Sequence, residues 1–120
     1  MQSVVFTAVF ERHAKDAGLT DDELMAIATR LAENPIVGDL IPGTGGARKT
    51  RFARAGKGKS GGYRTVHYFG GDDIPVFLLA LIDKGERADL SQAERNALSK
   101  LLAGIGTAYR KGPAANIKPA

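Results

Sequence analysis

The feature that most constrains the fold is an uninterrupted apolar run from Ile74 to Ile82, which follows a turn-forming stretch at Gly70–Asp73. Apolar runs of this length without alternation are typical of strands that are covered on both faces. The chain has 120 residues, which is enough for one packed core but too short for two domains. We therefore expect a central, buried strand in a single domain over residues 1–111, followed by a disordered tail at 112–120.

The N-terminal part of the sequence predicts a strand followed by two helices. Gln2–Phe6 is rich in β-forming residues, and Thr7 then caps a short helix that ends at Gly18. Thr20–Glu23 has the T-x-x-E pattern in which side chains satisfy free backbone N–H groups at a helix start. This second helix is expected to end at Asn34–Pro35.

Two alternating segments predict a β-hairpin before the apolar run. Ala47–Ala53 places Lys49 and Arg51 on the face opposite Thr50 and Phe52, and Tyr63–Phe69 alternates in the same way. The Gly/Lys/Ser stretch at 55–62 is expected to be the connecting loop. It contains G-x-G-x-x-G, but a dinucleotide-binding fingerprint must open a helix, whereas a strand is predicted to follow here.

A third helix is predicted after the apolar run. Ser91–Glu94 is a second capping box, and an apolar stripe continues to Tyr109, although Gly104 and Gly106 should weaken the end of the helix. The element order is then β-α-α-β-β-β-α. This order indicates an α+β domain in which a small antiparallel sheet packs against helices on one face and leaves the other face to basic residues.

The positive charge of the chain is concentrated in one segment. The chain carries 17 Lys and Arg against 13 Asp and Glu, a net charge of +4, yet there is no carboxylate between Asp39 and Asp72. The cations of this segment are Arg48, Lys49, Arg51, Arg54, Lys57, Lys59 and Arg64. Such clustering predicts a surface that binds a polyanion, with nucleic acid as the first candidate.

Composition excludes several other kinds of chemistry. The chain has no cysteine, which excludes disulfides, thiolate catalysis and cysteine-based metal sites and fits a cytoplasmic protein. The N-terminus resembles neither a signal peptide nor a membrane span. His13 lies on a predicted amphipathic helix and His67 is expected on the face opposite Arg64, so ordinary packing or surface polarity is the more frequent role for each. No ligand spacing near the basic segment indicates a metal.

Three linked motifs resemble a known family. They are G-T-G-G-x-R-K-x-R at 43–51, G-K-G-K-x-G-G-x-R at 56–64 and K-x-E-x-x-D-L at 84–90. In this order they resemble the RelE/ParE superfamily of type II toxin–antitoxin toxins, and specifically its HigB-type branch. The resemblance implies a RelE-like fold and a small cytoplasmic toxin, with no cofactor, that enters the ribosomal A site and cuts translated mRNA. It also implies a cognate helix-turn-helix antitoxin as the inactivating partner.

The resemblance also assigns roles to residues. Lys49, Arg51, Arg64 and Lys84 match the catalytic positions of RelE-type toxins, which work without metal. RNA and ribosome contacts are expected from the other basic residues and one aromatic residue, namely Arg48, Arg54, Lys57, Lys59 and Tyr63. An aromatic side chain on a short sheet is nevertheless more often part of the core than a stacking platform.

Two other functions remain open from the sequence. The chain could be a ParE-like inhibitor of DNA gyrase, or a protein that binds nucleic acid or an antitoxin without catalysis. ParE-like proteins generally lack the RelE-type catalytic set, so the basic segment favours a ribosome-dependent endoribonuclease. Which residue acts as general base and which as general acid is left open by the sequence.

Overall fold

The structure is a computed structural model that describes residues 2–54, 58–83 and 89–110 and, for residues 54, 58–61 and 106–110, the backbone alone. Three helices and five strands follow one another in these ranges. They are β1 (Val4–Phe6), α1 (Ala8–Ala17), α2 (Asp21–Glu33), β2 (Asp39–Leu40), β3 (Ala47–Arg54), β4 (Gly58–Tyr68), β5 (Val76–Asp83) and α3 (Gln92–Arg110).

All five strands form one mixed sheet in the order β1-β5-β4-β3-β2. The strands from β2 to β5 pair antiparallel, but β1 runs parallel to β5, with Val4 opposite Val76. The expectation of a wholly antiparallel sheet was therefore wrong at this edge, because α1 and α2 lie between β1 and the rest of the sheet in sequence. The prediction that the apolar run forms a central strand is confirmed, since seven of the eight β5 residues are buried.

The helix starts that the sequence predicts are all present. The Thr7 hydroxyl accepts a hydrogen bond from the Phe10 amide at 3.2 Å. Thr20 and Glu23 form the reciprocal capping box of α2. The same pair of bonds joins Ser91 and Glu94 at the start of α3. These signals are local in sequence, so they set the helix boundaries without help from the rest of the fold.

Helices cover both faces of the sheet, so the expectation that they cover only one was wrong. On one face α1 and α2 pack through Phe10, Ile27 and Leu31 against Leu78 of β5. On the other face Leu102 of α3 belongs to a second cluster, with Phe77 and Leu79 of β5. A strand that is apolar on both sides requires a layer on each side. None of the helices in the described ranges is long and apolar enough to cross a membrane.

The β3–β4 hairpin is longer than the alternation indicates. Strand β4 begins at Gly58, within the stretch expected to be a loop, and Gly58 pairs with Arg54. The register shifts between Phe52 and Arg54, which marks an irregularity in the pairing. Because glycine and lysine have weak strand propensity, pairing with β3 and not local preference makes this segment extended.

The G-T-G-G segment before β3 is a turn closed by a buried threonine. The Thr44 hydroxyl donates to the Ile41 carbonyl at 2.7 Å and accepts from the Ala47 amide at 3.0 Å. The side chain is fully buried, and the next residue, Gly45, has a left-handed φ of 79°. This turn fixes where β3 starts and therefore which β3 side chains face α3.

Replacement of glycine by alanine is expected to change the stability in opposite directions at two positions. Gly38 has φ 88°, and a Cβ there would overlap the Lys49 carbonyl and the Thr50 hydroxyl. Gly104 lies within α3, and a Cβ there would meet nothing within 4 Å. We expect Gly104→Ala to raise the free energy of unfolding by about 0.5–1 kcal/mol, and Gly38→Ala to lower it by at least about 1 kcal/mol. Urea denaturation measures both values, and a Gly38→Ala protein as stable as the wild type would contradict the packing described around β3.

Candidate nucleic-acid interface

Three cations from two neighbouring strands share one face of the sheet. In the β3–β4 pairing Arg51 lies directly opposite Arg64, and Lys49 lies opposite Val66. Side chains directly opposite one another have Cβ atoms about 5 Å apart, and residues two apart on a strand point the same way. Lys49, Arg51 and Arg64 therefore form one group, which we call the cationic cluster.

The cationic cluster lines an open depression of about 350 Å³, whose fourth lining residue is Asp39. Asp39 belongs to the edge strand β2 and lies opposite Lys49 in the β2–β3 pairing. The depression is at the small end of the size range of ligand sites, about 300–1,000 Å³. All four lining residues are charged and three of them are cationic, which suits a phosphate-containing ligand better than an apolar one.

Lys49 is fixed in place by a carboxylate from outside the basic segment. Its ammonium nitrogen lies 3.3 Å from Oδ2 of Asp89, and the same oxygen lies 3.4 Å from a guanidinium nitrogen of Arg95 on α3. The Leu90 amide donates to Oδ1 of Asp89 at 2.8 Å. This amide bond, together with the two cations, holds the pKa of Asp89 below its usual value. An ionised Asp89 thus connects the start of α3 to the cationic cluster.

Arg48 lies on the opposite face of β3 from the cationic cluster. Its guanidinium donates to the carbonyl oxygens of Ile36 at 3.0 Å and Gly38 at 3.1 Å. These bonds hold the connection between α2 and β2 against the sheet. The structure therefore does not bring Arg48 together with the residues that line the depression.

Tyr63 also lies away from the depression, in the core beneath α2. Only 3% of its surface is exposed, its ring stacks on that of Phe52 with centroids 6.4 Å apart, and its hydroxyl lies 3.4 Å from a carboxylate oxygen of Glu23. A ring in this position has no face open to a nucleobase. The expectation that Tyr63 contacts RNA is not supported, and the alternative reading of a core residue fits the geometry.

The side chains of the remaining predicted site residues lie outside what the structure describes. Lys57 and Lys84 lie outside the described residues, and so does the tail at 112–120. For Arg54 and Lys59, at the far end of the β3–β4 hairpin, the structure describes the backbone alone. Their expected roles stay predictions.

Both histidines have contacts in the body of the fold. His67 is fully buried, and its Nε2 lies 2.9 Å from the Pro35 carbonyl oxygen. His13 Nδ1 accepts a hydrogen bond from the Leu81 amide at 3.2 Å, beyond the point where β1 stops pairing with β5. Neither imidazole lines the depression, so packing is the role that the geometry supports for each.

Asp39 and Asp89 are the residues near the cationic cluster that sequence reasoning missed. Both lie outside the carboxylate-free segment, and Asp89 is 40 positions from Lys49. For Asp89 the signal was its place in the K-x-E-x-x-D-L motif. Even with these carboxylates, the described residues contain no group of three His, Cys, Asp or Glu side chains placed to hold a metal ion.

Comparison with known proteins agrees with this architecture. A family model described as "RelE toxin of RelE / RelB toxin-antitoxin system" matches residues 2–116. Because the match covers nearly the whole chain, this protein belongs to the RelE toxin family. A solved structure of an arginine-to-alanine double mutant of the E. coli toxin RelE in the free state matches with a TM-score of 0.51 and 18% identity. The match covers 84% of this chain and 96% of that chain.

The two findings bear on different predictions. The structural likeness supports the predicted α+β fold, and the family match confirms the predicted superfamily. The HigB-type branch stays a prediction.

The burial of His67 predicts a pH-dependent stability. Burial lowers the pKa of His67 below its ordinary value of 6.5, despite the opposing hydrogen bond to Pro35. The unfolded chain therefore binds a proton that the folded chain excludes, and the free energy of unfolding should fall as pH drops below about 6.5. We expect this slope between about pH 7 and about pH 5.5 to be shallower in His67→Gln, which keeps a donor for Pro35. Urea denaturation at several pH values measures this slope. Equal slopes in the two proteins would contradict the view that His67 causes the loss of stability at low pH.

Proposed function

We propose that this protein is the toxin of a type II toxin–antitoxin module and acts as a ribosome-dependent mRNA endoribonuclease. The observation that carries the proposal is the cationic cluster, in which three cations on one face line one open depression. Membership of the RelE toxin family supports the toxin role. The proposed site of action is the ribosomal A site, in the cytoplasm.

The arrangement of the cationic cluster suits transfer of a phosphoryl group within RNA. Attack of a ribose 2′-hydroxyl on the adjacent phosphate places extra negative charge on the phosphoryl oxygens. Arg51 and Arg64 lie directly opposite one another in the sheet, and a guanidinium group can hold two such oxygens through its parallel N–H donors. Like charges directly opposite in a sheet are unfavourable for the sheet itself. Both side chains nevertheless line the depression, and this position favours a role in binding an anion.

Lys49 adds a third positive charge at a fixed position. Its ion pair with Asp89 restricts the ammonium to the side of the depression nearest α3. A primary ammonium carries donors alone, so it can bind a phosphoryl oxygen or protonate a leaving oxygen. Lys84, which belongs to the same motif as Asp89, stays a proposed fourth member of the catalytic group.

The proposed inactivating partner is a cognate helix-turn-helix antitoxin. A polyanion-binding surface is most simply blocked by a partner that covers the cationic face. Membership of a family of toxins from toxin–antitoxin systems supports this proposal.

Replacement of Arg64 by Ala tests the proposed reaction. In a reconstituted translation system with a reporter mRNA, primer extension should detect cuts by the wild type when ribosomes are present. We expect Arg64→Ala to lower the rate of cleavage by about 10²–10³-fold, since it removes a donor that stabilises transition-state charge. Circular dichroism and urea denaturation establish that the variant is folded.

The matched control is Arg12→Ala, which removes the same charge from an exposed position on α1, the helix that packs against β5. It should cleave at nearly the wild-type rate. Wild-type cleavage that persists in Arg64→Ala would contradict the role of the cationic cluster. Absence of cuts by folded wild type, with gyrase-dependent DNA damage instead, would show that the protein is a gyrase inhibitor and not a nuclease.

A further inference from the structure

The depression combines three cations with one carboxylate. Asp39 lies on β2 directly opposite Lys49, so the two Cβ atoms are about 5 Å apart on the same face. Two positions further along β3 is Arg51, with Arg64 across from it. An anion bound between the two arginines would therefore lie within reach of both the Asp39 carboxylate and the Lys49 ammonium.

Only one of the four lining residues supplies a proton acceptor at neutral pH. Arginine guanidinium groups have donors alone and do not lose a proton in proteins. The Lys49 ammonium already donates to Oδ2 of Asp89. Asp39 is exposed to solvent, and an ionised carboxylate accepts hydrogen bonds through both oxygens.

We propose that Asp39 is the general base of the cleavage reaction, an inference that rests on the proposed endoribonuclease function. The carboxylate accepts the proton of the ribose 2′-hydroxyl as this oxygen attacks the adjacent phosphorus. Arg51 and Arg64 stabilise the charge that develops on the phosphoryl oxygens. In this reaction Asp39 contacts the substrate and acts together with the cationic cluster.

The proposed step balances without any further reactant. The bond from the 2′-oxygen to phosphorus forms, and the bond from phosphorus to the 5′-oxygen breaks. The proton of the 2′-hydroxyl moves to Asp39, and the leaving 5′-oxygen takes a proton from the Lys49 ammonium. The products are a 2′,3′-cyclic phosphate and a 5′-hydroxyl end. Asp39 and Lys49 then return to their starting protonation states by exchange with water.

The simpler role for Asp39 predicts the opposite result. If Asp39 were only an exposed negative charge beside a polyanion-binding surface, its neutralisation would strengthen binding of RNA and leave the chemical step unchanged or faster. If Asp39 is the general base, its neutralisation slows the chemical step while binding is unchanged or tighter. The two roles therefore differ in the sign of the effect on the maximal rate.

The experiment measures single-turnover cleavage of mRNA in programmed ribosomes at increasing concentrations of toxin, which separates the maximal rate from the concentration at half-maximal rate. Asp39→Asn should lower the maximal rate by about 10²–10⁴-fold, the usual contribution of a general base, without raising that concentration. Asp39→Glu keeps a carboxylate, so its maximal rate should be at least about tenfold higher than that of Asp39→Asn. Asp16→Asn makes the same charge change at an exposed position on α1 and should match the wild type.

The outcomes separate this inference from the function on which it rests. An Asp39→Asn protein that cuts at the wild-type maximal rate or faster would overturn the role of Asp39, while loss of cleavage in Arg64→Ala would leave the proposed function standing. Failure of the folded wild type to cut mRNA would overturn both. If Asp39→Asn is unfolded by circular dichroism, Asp39→Glu takes its place in the comparison. Cleavage by Asp39→Glu within about 10³-fold of the Asp16→Asn rate would support the carboxylate, and slower cleavage would oppose it.

Discussion

The register between β3 and β4 is the constraint on which the functional surface depends. It pairs Arg51 with Arg64 and Lys49 with Val66, so these side chains lie on the side of the sheet where Val66 packs in the α3 layer. Because side chains alternate across a strand, a slip of one residue would turn Lys49 and Arg51 into the apolar layer beneath α2. The fold resists such a slip through the Thr44 turn before β3 and through the buried positions of Ala47 and Val66.

The same face of β3 changes from core to surface along its length. Ala47 is fully buried in the layer beneath α3, Lys49 is half-buried, and Arg51 is exposed. The Arg30 guanidinium supports this outer end from the other face, since it lies 5.0 Å from the centroid of the Phe52 ring and donates to the Arg51 carbonyl. The ion pair with Asp89 holds Lys49 between the buried start of β3 and its exposed outer end. The cations are thus supported by the packed core and line the open depression.

The sequence predicted local features well and long-range features poorly. The capping boxes at Thr20 and Ser91 set helix starts correctly, since each depends on residues three apart. The parallel pairing of β1 with β5 and the two-residue strand β2 were missed, because neither leaves a local pattern. The helices on both faces were missed too, although the apolar run already required two covering layers.

The candidate site shows the same division. Alternation placed Lys49 and Arg51 together, and the clustering of basic residues along the predicted hairpin already included Arg64 from the next strand. Charge counting included Arg48, although strict alternation puts it on the face opposite Lys49. Asp39 and Asp89 approach the site through strand pairing and through the start of α3, respectively, and neither approach is visible in a single stretch of sequence.

The central claim is that the fold holds its cations together for an anionic ligand and not for its own stability. The most direct test is the free energy of unfolding of Arg51→Gln, measured by urea denaturation at low salt. Since Arg51 is exposed and lies opposite Arg64, the account predicts a variant as stable as the wild type or more stable by up to about 0.5 kcal/mol. A loss of about 1 kcal/mol or more would contradict it, because Arg51 would then be serving the fold.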